Sequence, residues 1–477
     1  MAEAEARSSA GSGYPGFIEG EFRRYLDCGV LSKGFARLRC AECQTERLVA
    51  FSCKGRMCPS CWARRAAATA AELVDRRLPI APYRQWVLTF PWELRFKLAV
   101  NKRFLSKMLR AFLLTLFCWQ RRRGQELGFV GQTGAVTFVQ RFGGALNLNP
   151  HFHSLLPDGL FVGTDNDQLS FVQLPAPTDD EVRALLLRLA RRIRRLARRE
   201  LNADEQLDWI DDEQQSLLDC SGEALRLPAA PCSQPGLCAE AAATPLCARV
   251  AGFSLHAARR VEADDREGLE RLCRYGLRAP FSLDRFSLSD DGTVWYELRR
   301  PWPRPAGRPS LHLEPIALLR RLAALIPAPY TNLVRYHGVL HNRSNARPLI
   351  PSPQTPLALD PDVPPYDQLK SETAKPHKRP AWAQLIRRVL HVDALSCPAC
   401  STAMLVVAFI TCPRAIRRIL KHLRLDATAP TLAPPAESRQ DDMLDFSQLL
   451  PDHRHTLRIA TNPGKQTGRS PPYKPIS

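Results

Sequence analysis

Two CxxC pairs near the N-terminus constrain this chain most: "CAEC", with Cys40 and Cys43, and "CPSC", with Cys58 and Cys61, with 14 residues between them. Paired knuckles at such a separation suit four thiolates around one tetrahedral zinc ion, with the connecting chain folded as a short ribbon or hairpin. Redox chemistry needs a single CxxC, normally at the start of a helix. Structural Zn2+ held by Cys40, Cys43, Cys58 and Cys61 is therefore the expectation. Cys53 and Cys28 lie close enough to replace one of the four or to help bind a second ion. The stretch "FSCKGRMCPSCWARR" is basic and carries an aromatic residue, so Lys54 and Arg56 are expected to touch DNA. The competing role is a zinc-stapled fold that only props up its neighbour. A third pair, Cys397 and Cys400 in "CPAC", has only Cys412 for company and makes an incomplete site.

At 477 residues the chain is too long for one compact core and should form two or three domains. Its net charge of +19 points to a polyanionic partner, most often nucleic acid, although association with a ribosome or a membrane surface would fit the same charge. No stretch approaches the roughly 20 apolar residues of a membrane span. The apolar run "MLRAFLLTLFCW" is too short and sits between basic patches. The N-terminus lacks the layout of a secretion signal. A cytoplasmic setting with reduced thiols is expected, in association with the nucleoid when the protein is bound to DNA. There, the 15 cysteines serve as metal ligands or core residues rather than as disulfide halves.

The hydrophobic pattern changes along the chain. Residues 97–124 read as an amphipathic helix, and 134–143 and 151–162 as strands, with Asp158-Gly159 as a hairpin signal. Thr178 and Glu181 form a capping box ahead of an arginine-studded helix, whose outer face is either simply solvated or tracks a phosphate backbone. Residues 225–247 look like an irregular insertion. A strand and a helix follow within 250–277, then a strand at 292–302 and a helix at 315–327. The expected class is α+β, in five segments: a zinc-binding, DNA-contacting domain over 17–100, a catalytic domain built on an antiparallel sheet over 101–350, a Pro-rich linker over 351–380, a small helical unit over 381–425 and a basic disordered tail over 426–477.

"NPHFHSLLPDG" poses a chemical question. On a strand, His151 and His153 share one face while Phe152 takes the other, so two imidazoles stand ready to chelate one divalent ion. Gln140, Asn147 and Asn149 add polar groups beside them. With a phosphodiester as the anticipated substrate, such an ion would polarise the scissile phosphate, and the nucleophile would be water or a tyrosine. Tyr336 lies between Arg335 and His337 and is followed by Arg343 and Arg347, cations that would attract a phosphate. An isolated H-x-H pair, or any single tyrosine, is more often plain packing.

Several longer motifs turn that suggestion into a resemblance. "HFH" is similar to the histidine–hydrophobic–histidine motif of HUH endonucleases. "FSCKGRMCPSC", "RQWVLTFPWELR", "LNLNPHFHSLLPDG", "LERLCRYGLRAPFSLDR" and "LVRYHGVL" resemble rolling-circle insertion-sequence transposases with an N-terminal zinc-binding domain, over about residues 17–420. The resemblance implies a nick in single-stranded DNA that depends on Mg2+ or Mn2+, a 5′-phosphotyrosine intermediate and a released 3′-hydroxyl. It implies that His151 and His153 bind the metal. The resemblance does not identify a third ligand; Gln140 is the candidate, with His256 behind it. It implies Tyr336 as the nucleophile, with Tyr330 as the weaker second candidate. Its partners would be the single-stranded ends of a mobile element and its target DNA, without a membrane. Two other functions compete: a non-catalytic zinc-dependent nucleic-acid-binding regulator, and a replication initiator or relaxase sharing the same chemistry.

Overall fold

The computed structural model describes residues 15–163, 169–204, 245–302, 308–350 and 395–427. The expected linker, nearly all of the 225–247 insertion and the tail beyond 427 lie outside them.

Helix α1 (Gly16–Leu26) precedes a hairpin of β1 (Phe35–Cys40) and β2 (Glu46–Ala50). Helix α2 (Pro59–Glu72) begins with proline in its first turn, where the missing N–H costs nothing. Then come β3 (Tyr83–Thr89), α3 (Trp92–Val100) and α4 (Lys102–Glu126). The single helix expected over 97–124 is thus two, because Asn101 is extended and its side chain accepts a hydrogen bond from the Phe104 N–H, starting a new helix.

Strands β4 (Gly131–Gln132), β5 (Gly134–Phe142), β6 (Leu148–Pro157), β7 (Gly159–Gly163) and β8 (Leu169–Gln173) follow, then α5 (Asp179–Asp204). The capping box of α5 forms as expected: the Glu181 N–H donates to the Thr178 hydroxyl, and the Thr178 N–H donates to the Glu181 carboxylate. Beyond it lie β9 (Cys247–Val250), β10 (Phe253–Val261), α6 (Arg266–Gly276), β11 (Phe286–Leu288), β12 (Val294–Trp302), β13 (Arg308–Leu313), α7 (Pro315–Leu325) and β14 (Val334–Gly338). Strand β15 (Met404–Ile410) and helix α8 (Pro413–His422) close the described chain. The expected α+β class holds.

A six-stranded antiparallel sheet in the order β14-β5-β6-β3-β10-β9 forms the centre. On one face, α4 and α5 pack over Trp86, Leu88, Phe152 and Leu156. On the other, α2 and α6 pack over Tyr83, Val136, Phe138 and Leu155. Each fully buried aromatic of this kind stabilises the fold by roughly 1.5–3 kcal/mol. Strand β6 is therefore covered on both sides, which explains its nearly continuous apolar sequence.

Three expectations change. Asp158-Gly159 makes no hairpin: β6 and β7 belong to different sheets, and the chain bends between them. The buried Asp158 carboxylate accepts two hydrogen bonds from Arg84, at 3.0 and 2.7 Å, and Gly159 presses on β8 with no room for a Cβ. The domain boundary at residue 100 also fails, since β3 runs through the middle of the central sheet. The C-terminal unit is not an independent helical piece either. Strand β15 pairs with β1, giving the order β15-β1-β2, and α8 packs through Ile416 and Leu420 on Phe35.

Candidate active site and metal centres

His151 and His153 project from β6, in the interior of the central sheet, with ring centroids 4.8 Å apart. Both are buried. Burial lowers the His151 pKa to about 4 and takes His153 well below the usual imidazole range, so both rings are neutral. His151 Nδ1 lies 2.6 Å from the Asn149 carbonyl oxygen, which assigns the proton to Nδ1 and leaves Nε2 as a lone pair. Among the described residues neither ring nitrogen of His153 has a partner. Two neutral imidazoles with free lone pairs on one strand face fit a divalent ion.

Register supplies the neighbours. Gln140 sits directly opposite His151, so its side chain emerges on the same face. Its Nε2 donates to the carbonyl oxygens of Tyr275 (2.8 Å) and Gly276 (3.0 Å), while its buried Oε1 has no partner among the described residues. That oxygen is the further donor the histidine pair can use. His256 lies in the row of His153 with Val87 between them, two strands away, or about 9–10 Å. It is a poorer candidate.

The tyrosine beside the histidines is Tyr275, whose ring meets His153 edge-on at 5.6 Å. It stands at the C-terminal end of α6 and remains 43% exposed. Asp265 caps the helix, Leu269, Leu272 and Cys273 anchor it on the sheet, and its last residue, Gly276, touches the Phe138 ring. A Cβ at Gly276 would come within 2.5 Å of that ring, so glycine permits the close approach. The Arg278 guanidinium lies 4.7 Å from the Tyr275 ring, and together with Arg95 it adds positive charge around the histidines.

Tyr336 does not reach this centre. It shares the sheet face of the histidines but stands on edge strand β14, opposite Val136, two strands from β6. Phe138, next along β5, fills the space between. The Tyr336 ring packs on the core with the Arg77 guanidinium 5.2 Å away, and burial raises its pKa. Tyr330 is 94% exposed in a turn, at a positive φ of 59°.

Sequence reasoning passed over Tyr275 although the motif "LERLCRYGLRAPFSLDR" contains it. The usable signal was Tyr-Gly at the end of a short amphipathic helix, with an arginine two residues beyond.

The remaining cations expected at DNA are scattered. Arg335 donates to Ser106 Oγ at 2.9 Å, Arg347 to the Arg76 carbonyl at 3.3 Å, and Arg56 to the Ala328 carbonyl at 3.1 Å. Arg343 and Lys54 are exposed.

The cysteines form two tetrads where one was expected. Cys28, Cys53, Cys58 and Cys61 make the first, and Cys40, Cys43, Cys397 and Cys400 the second, each with sulfurs within 4.8 Å of one another. Zn–S bonds of about 2.3 Å place tetrahedral sulfurs about 3.8 Å apart. Here Cys28 lies 3.6 Å from both Cys58 and Cys61, and Cys40 lies 3.4 Å from Cys400, as does Cys43 from Cys397. Both sets fit zinc.

The single site fails for a geometric reason. Cys40 and Cys43 ride the tip of the β1–β2 hairpin, whereas Cys28 and Cys53 flank its base, where the Gly29 N–H donates to the Phe51 carbonyl. Six strand residues separate the two ends by about 20 Å. The Thr402 hydroxyl, 3.0 Å from the Cys40 sulfur, lowers that thiol to about 6, and hydrogen bonds from Cys28 and Cys58 hold Cys61 far below the ordinary thiol range. In the Cys61 tetrad burial raises Cys53, and hydrogen bonds with Cys28 and Cys61 raise Cys58, so zinc would displace protons from these sulfurs as it binds.

Two family models match the chain: one described as "Putative transposase" over residues 134–347, and one described as "Transposase zinc-binding domain" over residues 6–90. No curated protein and no solved structure matches it. The matched ranges cover β5, β6 and α6 in one case and the first tetrad in the other. Cys397 and Cys400 lie outside both.

Proposed function

We propose that this chain, which belongs to the IS91-type transposases, cuts and rejoins a single DNA strand through Tyr275 at the histidine pair. Its family makes it a DNA-processing enzyme with a structural zinc domain. Among the described residues no helix is long and apolar enough to cross a membrane.

The 5.6 Å contact between the Tyr275 and His153 rings carries the choice of nucleophile. A divalent ion on His151 and His153, with Gln140 Oε1 as a further ligand, would supply charge stabilisation at the scissile phosphate. The chain does the rest. Arg278 and Arg95 draw the phosphate toward Tyr275, and Gln140 Nε2 fixes the helix end that carries it. Tyr275 Oη forms a bond to phosphorus as the bond to the 3′-oxygen breaks. The phenolic proton is lost to solvent, and the departing oxygen takes one up as a 3′-hydroxyl. Attack by a 3′-hydroxyl on the phosphotyrosine reverses the step and joins the strands.

The test uses the full chain with Mg2+ or Mn2+ and a 3′-end-labelled single strand from the ends of its own element. Label should travel with the wild-type protein and with Tyr336→Phe on a denaturing gel, and be lost with Tyr275→Phe. Label retained by Tyr275→Phe but lost from Tyr336→Phe would return the nucleophile to the sheet edge. Binding without any adduct from the wild type would favour a regulator.

A further inference from the structure

The second tetrad brings together residues more than 350 positions apart in sequence, and it carries α8 with it. Cys397 and Cys400 meet Cys40 and Cys43, β15 adds six residues of antiparallel register to β1, and α8 docks by Ile416 and Leu420 alone among its fully buried residues. Its opposite face is a row of cations: Arg414, Arg417, Arg418 and Lys421, all exposed. Their spacing of three and four residues places them on one side of the helix. Among the described residues none of them forms an ion pair, and α8 contains no acidic residue.

That arrangement is locally unfavourable. Arg414–Arg418 and Arg417–Lys421 are like-charge pairs at i,i+4, which weaken an isolated helix, and Arg414 sits at the positive end of the helix dipole. The arginine-rich α5 differs, since Asp179, Asp180 and Glu181 fill its first turn. A helix that breaks these rules without internal compensation is expected to meet its counter-charge outside.

We infer that the second tetrad is a zinc clasp that locks residues 395–427 onto the N-terminal unit and presents α8 as a binding element for the phosphate backbone of DNA. The choice of DNA rests on the transposase function above; the clasp rests on the sulfurs. Contact is with backbone charge, common to single strand and duplex, and falls outside both family-matched ranges.

Zinc content and DNA binding of the full-length protein test it together. Wild type should carry two zinc ions per chain, and Cys397→Ser with Cys400→Ser should carry one. Affinity for a short labelled single strand, and for the same sequence as duplex, is then measured against salt concentration. Replacing Arg414, Arg417, Arg418 and Lys421 by Gln preserves helix propensity and should reduce the salt slope by roughly 3–4 on duplex and somewhat less on single strand, with two zinc ions retained. The Cys→Ser pair should show the same loss of slope. A slope reduced on only one substrate identifies the form of DNA that α8 grips.

An unchanged slope in the Gln variant with both zincs present overturns the helix as a DNA contact. One zinc in wild type overturns the clasp. If wild type forms its Tyr275 adduct in either case, the nicking function survives. A wild type with two zincs that neither binds nor labels DNA removes both.

Discussion

The central sheet and the cysteine lobe are held together by different physics. In the sheet, Trp86, Phe90, Phe112, Phe138 and Phe152 are fully buried between two layers of helix, and the histidine pair is set into that solid. In the lobe, a three-stranded sheet encloses two small clusters, one around Leu38 and Met404 and the other around Phe35, Ile416 and Leu420. Leu405, Val407 and Phe409 remain exposed on its edge strand. So little buried surface does not hold a fold by itself, and domains below about 70–80 residues commonly rely on metal or disulfide staples. The comparison teaches that the histidine pair sits where packing is dense, while the lobe owes its shape to eight sulfurs.

Removing zinc should break that comparison open or leave it standing. Structural zinc contributes on the order of 10 kcal/mol to small metal-folded units. After chelation, hydrogen exchange should become fast over 35–50 and 404–422, while β5, β6 and α4 stay protected. Equal loss of protection in the central sheet would show that the two regions stand or fall as one.

Gly276→Ala probes the packed side. The added methyl would collide with the Phe138 ring and lift the end of α6. Misplacing Tyr275 by an ångström should lower nicking by about 100-fold, with zinc content unchanged. A variant with normal nicking would mean that the histidines do not depend on the seating of α6.

The smallest effect concerns pH. His337, on β14, has its pKa lowered to about 4 by burial, with Arg335 adding to the shift, against about 6.5 when unfolded. Between those values the unfolded chain binds the proton and the folded chain does not, so stability is full above pH 6.5 and falls as pH drops toward 4. Its share is about 1–2 kcal/mol, discounted for partial exposure. His337→Gln should flatten the fall of Tm over that window; an unchanged profile would assign the acid sensitivity to other buried groups.

What the sequence disclosed follows the same divide. The HFH strand was legible because period-two alternation is local: residues 151–153 carry it wherever β6 sits. The capping box of α5 was legible for the same reason. The tetrads were not, because CxxC spacing says that two sulfurs share an ion and nothing about which other two join them. A pair at 397–400 that looked incomplete had its partners at 40–43. Tyr275 was hidden similarly, since only the packing of α6 across β5 brings it beside His153, and the choice of Tyr336 rested on neighbours in sequence that turn out to decorate an edge strand.

The second tetrad also sets an order of events during synthesis. Cys40 and Cys43 leave the ribosome early, and at about 5–20 residues per second they wait roughly 20–70 s for Cys397 and Cys400. Until then the hairpin tip offers half a coordination sphere. A message cut short after residue 350 would yield a chain with its central sheet and Tyr275 in place, an open thiol pair at its tip, and no α8. Such a fragment would keep the histidine pair and lack the helix proposed to anchor it on DNA.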